Sequence, residues 1–206
     1  FNLKEAGQST NGLSINLITW GNGPKRVFLW SQMHGDEATA TMSIADLLNF
    51  LSEPAQFRQI HDLLAEKCTL YILPMVNPDG AEVFKRRNAM DIDINRDFHR
   101  QQSPEGRMLR HLRDEIKPHF GFNLHDQSTL WSAGNTGNPA TISLLAPAYD
   151  KDLSINSTRE QAMKVIAIMN SAIQKSISDQ VGRFDDEYEP RAFGDNFQAA
   201  GTSTIL

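Results

Sequence analysis

The chain alternates between two hydrophobic rhythms. "LSINLITW" (13–20) and "KRVFLWSQ" (25–32) alternate or run apolar over strand lengths, and the "GNGP" between them is a turn signal, so the pair predicts a β-hairpin. The spacing then lengthens to that of a helix, with Met42, Ala45, Leu48 and Leu51 on one face over 39–51 and "FRQIHDLLAE" continuing helical. "CTLYILPMV" returns to a strand. "SPEGRMLRHLRDEI" predicts a helix with Ser103 at its N-cap and Pro104 at the first helical position, ahead of a short strand in "HFGFNLHD". A strand in "ATISLLAPAY" follows. Ser157 and Glu160 then form a capping box ahead of Val165, Ile166, Met169, Ile173 and Ile177, and "TSTIL" closes the chain as a strand.

Strands alternating with helices of this length argue an α/β fold. The expected architecture is three-layer, with a mixed, mostly parallel twisted sheet between helical layers and an antiparallel hairpin at its start. At 206 residues the chain suits one domain spanning 1–206. Phe1 is not a methionine and Leu206 falls inside an apolar run, so both termini are expected to be trimmed. In such sheets ligands bind outside the carboxyl ends of the strands. The Gly-rich polar loop "QSTLWSAGNTGNPA" (127–140) directly follows a strand, and long loops at that edge tend to be functional.

Composition narrows the partner. A net charge of −5 with no block of like charge argues against nucleic acid and anionic membranes. No apolar run approaches the ~20 residues that span a bilayer. A small molecule or peptide remains. Cys68 is the single cysteine, which excludes an internal disulfide, suits a cytoplasmic setting and reads as a buried core residue.

Chemistry concentrates at the predicted strand ends. His34 and Glu37 follow "VFLWSQM", where an i, i+3 imidazole and carboxylate can reach one metal ion. The same pair is also compatible with a helix start, Glu37 being a first-turn acid and His34 a surface residue. A catalytic zinc needs a third ligand. His61 and His111 lie on charged helical faces and His119 opens a strand at the wrong end of the sheet. His125 ends a strand as His34 does and ranks ahead of His99. Between them, Arg86, Arg87, Asn95 and Arg96 would set guanidinium forks near such an ion, which suits a substrate with a carboxylate. Taken singly, "NPDG" is a turn and the arginines a solvated face.

"HGDE", "NPDG", "RRNAMDIDINRDF" and "FNLHDQ", in this order, resemble the zinc carboxypeptidase family typified by carboxypeptidase A, over roughly 29–206. The resemblance implies one Zn²⁺ per chain held by His34, Glu37 and His125, with Asp93 orienting the first histidine. It implies that Arg86, or Arg87 in the neighbouring register, polarises the scissile carbonyl, and that Asn95 and Arg96 hold the substrate's terminal carboxylate. Tyr188 is the candidate to fold over that carboxylate, and Asp195 falls near the segment lining the side-chain pocket. The family's catalytic glutamate follows a strand like "TSTIL" and is therefore expected beyond Leu206. The implied function is a metallocarboxypeptidase acting on a peptide or peptide-like substrate with a free carboxylate. Alternatives are a zinc deacylase of N-acyl amino acids, similar to succinylglutamate desuccinylase and aspartoacylase, or a non-catalytic zinc-containing module that binds carboxylates.

Overall fold

The computed structural model describes residues 1–127 and 129–206; Ser128, in the long loop, lies outside the described residues. These residues form two compact units, Phe1–Asp126 and Gln127–Leu206.

The first unit is built on β1 (Asn2–Gln8), β2 (Ser14–Gly21), β3 (Lys25–Ser31), β4 (Cys68–Leu73) and β5 (Phe120–Leu124), in the order β1-β2-β4-β3-β5. β1 and β2 are antiparallel, β2 and β4 are antiparallel, and β3 runs parallel to both β4 and β5. An antiparallel hairpin does open the chain, but its members are β1 and β2. The expected pairing of 13–20 with 25–32 is corrected: β4 inserts between them, so Val27 meets Leu70 in parallel and Trp20 meets Leu70 from the other side. The "GNGP" segment leads one strand away from the other, with Asn22 and Gly23 donating to the carbonyls of Ala65 and Cys68.

Helices α1 (Thr39–Ser52) and α2 (Arg58–Lys67) pack on one sheet face, the second preceded by a 3-10 turn at Ala55–Phe57. Their core joins Ile44 and Leu51 to Trp20, Leu70 and Ile72, with Val27 and Leu29 against it. Phe28 and Trp30, fully buried, alternate to the opposite face. His61 is not simply solvated: Nε2 meets the Leu51 carbonyl at 3.2 Å and its ring packs edge-on against Trp20. Cys68 is half-buried rather than core, and burial pushes its thiol pKa up. A short helix, α3 (Pro78–Glu82), follows β4. Helix α4 (Pro104–Ile116) begins as expected, the Ser103 hydroxyl accepting from the Gly106 amide, and it lies against β1.

The second unit carries β6 (Ile142–Leu144) parallel to β7 (Val181–Arg183), helix α5 (Ser157–Ile173), helix α6 (Phe193–Ala199) and β8 (Ser203–Ile205), with both helices against β8. The cap of α5 is Asn156, whose side chain accepts from the Arg159 amide, one residue before the expected Ser157. No helix is long and apolar enough to cross a membrane, among the described residues.

Candidate metal centre

Parallel pairing sets the ends of β3 and β5 level, with Ser31 opposite Leu124. The chain leaves β3 through Gln32, held in the left-handed region at φ 50°. The Gln32 side chain donates through Nε2 to the Gly35 carbonyl and accepts through Oε1 from the Thr41 hydroxyl. The Glu37 amide then donates to the His34 carbonyl at 3.1 Å, which curls the backbone and turns both side chains toward the same point. His125 arrives one residue past β5. Glu37 bridges the two imidazoles, with Oε1 2.7 Å from Nδ1 of His34 and Oε2 2.7 Å from Nδ1 of His125. One donor atom from each of the three residues lies within 4.8 Å of the others.

The motif "HGDE" needs its glycine. A Cβ on Gly35 would stand 2.0 Å from the Gly80 carbonyl carbon, so the backbones of "HGDE" and "NPDG" touch directly. Asn77, Pro78 and Gly80 build this face: the Asn77 side chain accepts from the Gly80 amide and donates to the Arg86 carbonyl.

Asp93 serves two elements. Its Oδ1 lies 3.1 Å from Nε2 of His34 and also accepts from the Asn95 amide, capping the 3-10 turn Ile94–Arg96. Arg86 grips Asp93 Oδ2 through Nε and reaches into the centre, 3.1 Å from Nδ1 of His34 and 3.2 Å from Oε1 of Glu37. Arg87 takes another course, donating to the Asp91 carbonyl, so the neighbouring-register alternative does not reach this cluster. Asn95 is buried and Arg96 half-buried in the turn that Asp93 caps, the guanidinium donating to the Asn95 carbonyl.

The electrostatics follow from these contacts. Burial works against ionisation of Glu37, but hydrogen bonds from His125 and His34 outweigh it and lower its pKa to about 2. Asp93 is likewise held well below the usual range: burial is outweighed by the His34 hydrogen bond and the charges of His34, Arg86 and Arg96. For His34, burial is outweighed by Asp93 and Glu37, which raise its pKa, whereas burial lowers that of His125.

This donor set fits zinc. Two imidazole nitrogens and a carboxylate converge, and Asp93 engages the far nitrogen of His34, leaving its Nδ1 to face the cluster. His125 presents Nδ1 to the cluster while its buried Nε2 has no partner among the described residues.

Tyr188 and Asp195 belong to the second unit. Tyr188 is half-buried between β7 and α6; Asp195 is buried in the first turn of α6 and accepts from the Glu189 amide at 3.0 Å. His99 is exposed and outside the three-donor cluster. Sequence reasoning missed Asp126, whose carboxylate accepts from the amide and hydroxyl of Thr39 at the start of α1. Its own amide lies 3.3 Å from Glu37 Oε2, and its only signal in the sequence was adjacency to His125.

Comparison with known proteins extends the picture. Carboxypeptidase SOL1 of Arabidopsis thaliana is 31% identical over 121 residues, 56% of this chain and 25% of that protein, so the chain spans about a quarter of its length. A metallo-carboxypeptidase from Burkholderia cenocepacia superposes with a TM-score of 0.75 at 20% identity, covering 99% of this chain and 55% of that one. A murein-tripeptide amidase from Escherichia coli O157 shares the fold at a TM-score of 0.55 and 15% identity, over 99% of this chain and 81% of that one. The sequence profile of the zinc carboxypeptidases matches residues 1–203, spanning every residue of the cluster, and the chain belongs to the zinc carboxypeptidase family.

Proposed function

We propose that the protein is a zinc metallocarboxypeptidase that hydrolyses the C-terminal residue of a peptide or peptide-like substrate, with residues 1–206 as a single catalytic domain. One observation carries the reading: Arg86 stands beside a convergent His34, Glu37 and His125 set whose first histidine is backed by Asp93. When bound, zinc supplies a Lewis acid that polarises a carbonyl and acidifies water.

The chain's own residues do the rest. Arg86 is tethered by Asp93 at both Nε and Nη2, which leaves Nη1, beside His34 and Glu37, to donate to a carbonyl oxygen as negative charge develops there. In this reading Asn95 and Arg96 take the substrate's terminal carboxylate, a planar acceptor matched by a guanidinium fork.

The test uses the full polypeptide with zinc. A blocked dipeptide with a free C-terminal carboxylate is the predicted substrate, and its C-terminal amide is predicted to resist. Faster turnover of N-acyl-glutamate or N-acyl-aspartate favours the deacylase reading. Binding of the free carboxylate product with no turnover of any of these favours a binding module.

A further inference from the structure

We propose that Asn88, Glu105 and Thr10 form a buried latch that positions Arg86 for the reaction. The inference rests on the peptidase reading for its kinetic consequence but not for its structural one.

Arg86 and Asp93 grip each other from the two ends of a short loop. Asn88 is the hub of that loop. Its backbone amide donates to the Ile92 carbonyl, its carbonyl accepts from the Asp91 amide, and its side-chain oxygen accepts from the amides of Met90 and Ile92. The side-chain nitrogen faces the other way, donating to Glu105 Oε2 at 2.9 Å and meeting the Thr10 hydroxyl at 3.3 Å. All four hydrogen-bonding positions of this amide are therefore used, two for the loop and two for its anchor.

The anchor is a fully buried carboxylate on helix α4. Its partners among the described residues are neutral: Glu105 Oε1 accepts from the Thr10 amide at 2.7 Å and from its hydroxyl at 3.1 Å, and Oε2 accepts from Asn88. Thr10 sits in the β1–β2 turn, which a second buried acid also fixes: Asp79 accepts from the Ser9 hydroxyl and the Asn11 amide. A buried carboxylate meeting only donors is specific in geometry, because reversing any one donor leaves two acceptors face to face. The latch touches neither the three donors nor Arg86's guanidinium. Its effect passes through the loop backbone, which makes these positioning residues.

An exchange of chemistry tests this. Asn88→Asp keeps the loop's acceptor but sets a carboxylate against Glu105; Glu105→Gln keeps the oxygen that serves Thr10 but turns a donor toward Asn88. In the double variant the new amide donates to the new carboxylate, with one buried carboxyl group as before. For each protein we would measure kcat and KM on the blocked dipeptide, zinc stoichiometry, and the NMR signal of the Arg86 Nε–H. Each single change is expected to lower kcat by about tenfold or more, on the scale of a small misplacement of a catalytic group. KM and zinc content should hold, the Nε–H signal should broaden, and the double variant should recover both signal and kcat. Folded single variants with unchanged kcat and signal, or a double variant that recovers neither, would overturn the latch. If the single variants do not fold, Thr10→Val removes only the hydroxyl: a loss of kcat by about twofold or more with a broadened signal supports the proposal, and no change overturns it. If the wild-type protein turns over no peptide yet the signal follows the exchange, the peptidase reading fails while the latch stands.

Discussion

Arg86 is held by Asp93 at Nε and Nη2 while Nη1 lies between His34 and Glu37, and the proposed reaction uses that nitrogen as the donor where substrate charge develops. Arg86→Ala is expected to reduce kcat by about 10²–10³, the usual cost of removing one oxyanion donor, while zinc content stays at one per chain. Steady-state kinetics with metal analysis check this. Proton linkage offers a second test. The Glu37 pKa is lowered from 4.5 to about 2, so in the metal-free protein its contribution is whole above 4.5 and is lost as pH falls through about 2. Acid unfolding of metal-free Glu37→Gln should lack that component. The His34 pKa is raised above 6.5, because Asp93 and Glu37 outweigh its burial, so zinc must displace a firmly held proton. Calorimetry in two buffers should find more protons released at about pH 6 than at about pH 8, and weaker zinc affinity at the lower pH. At this scale the sequence made His34, Glu37 and His125 legible, since each follows a strand and bears a donor. Asn88 and Glu105 were not legible as partners, because 17 positions separate them and only the fold brings amide and carboxylate together.

Elements were legible where their signals are local. Ser103–Pro104 marks the start of α4 because cap and first turn are adjacent in sequence. The partner of β2 was not legible, because β4 enters from about fifty positions downstream and no local pattern encodes that long-range pairing. The start of α1 shows the same limit. Its amide at Thr39 is satisfied by Asp126, from beyond the end of β5, rather than by a residue before the helix. Asp126→Ala is therefore expected to destabilise the protein by about 1 kcal/mol, the usual worth of a helix cap. For a domain of this size that is a fall in Tm of roughly 2–4 °C, readable by calorimetry. Because the Asp126 amide also faces Glu37, the variant should keep its zinc, the backbone donor being unchanged.

For the molecule as a whole, alternation of strand and helix made the α/β class readable, and the parallel pairing of β3 with β5 explains why the site forms where it does. That pairing brings two strand ends, and with them two histidines, to one edge; Glu37 then bridges the rings, whose centroids are 4.8 Å apart. A fold that gathers these donors should be tighter with metal than without. Chelation is expected to lower Tm, with recovery on adding zinc, because a ligand bound only by the folded state stabilises it by mass action. The most direct measurement is the metal content of the protein purified without chelator, compared with His34→Ala, Glu37→Gln and His125→Ala. The account predicts one zinc per chain in the wild type and none retained by the three variants. A wild-type protein with no stoichiometric divalent ion would contradict it.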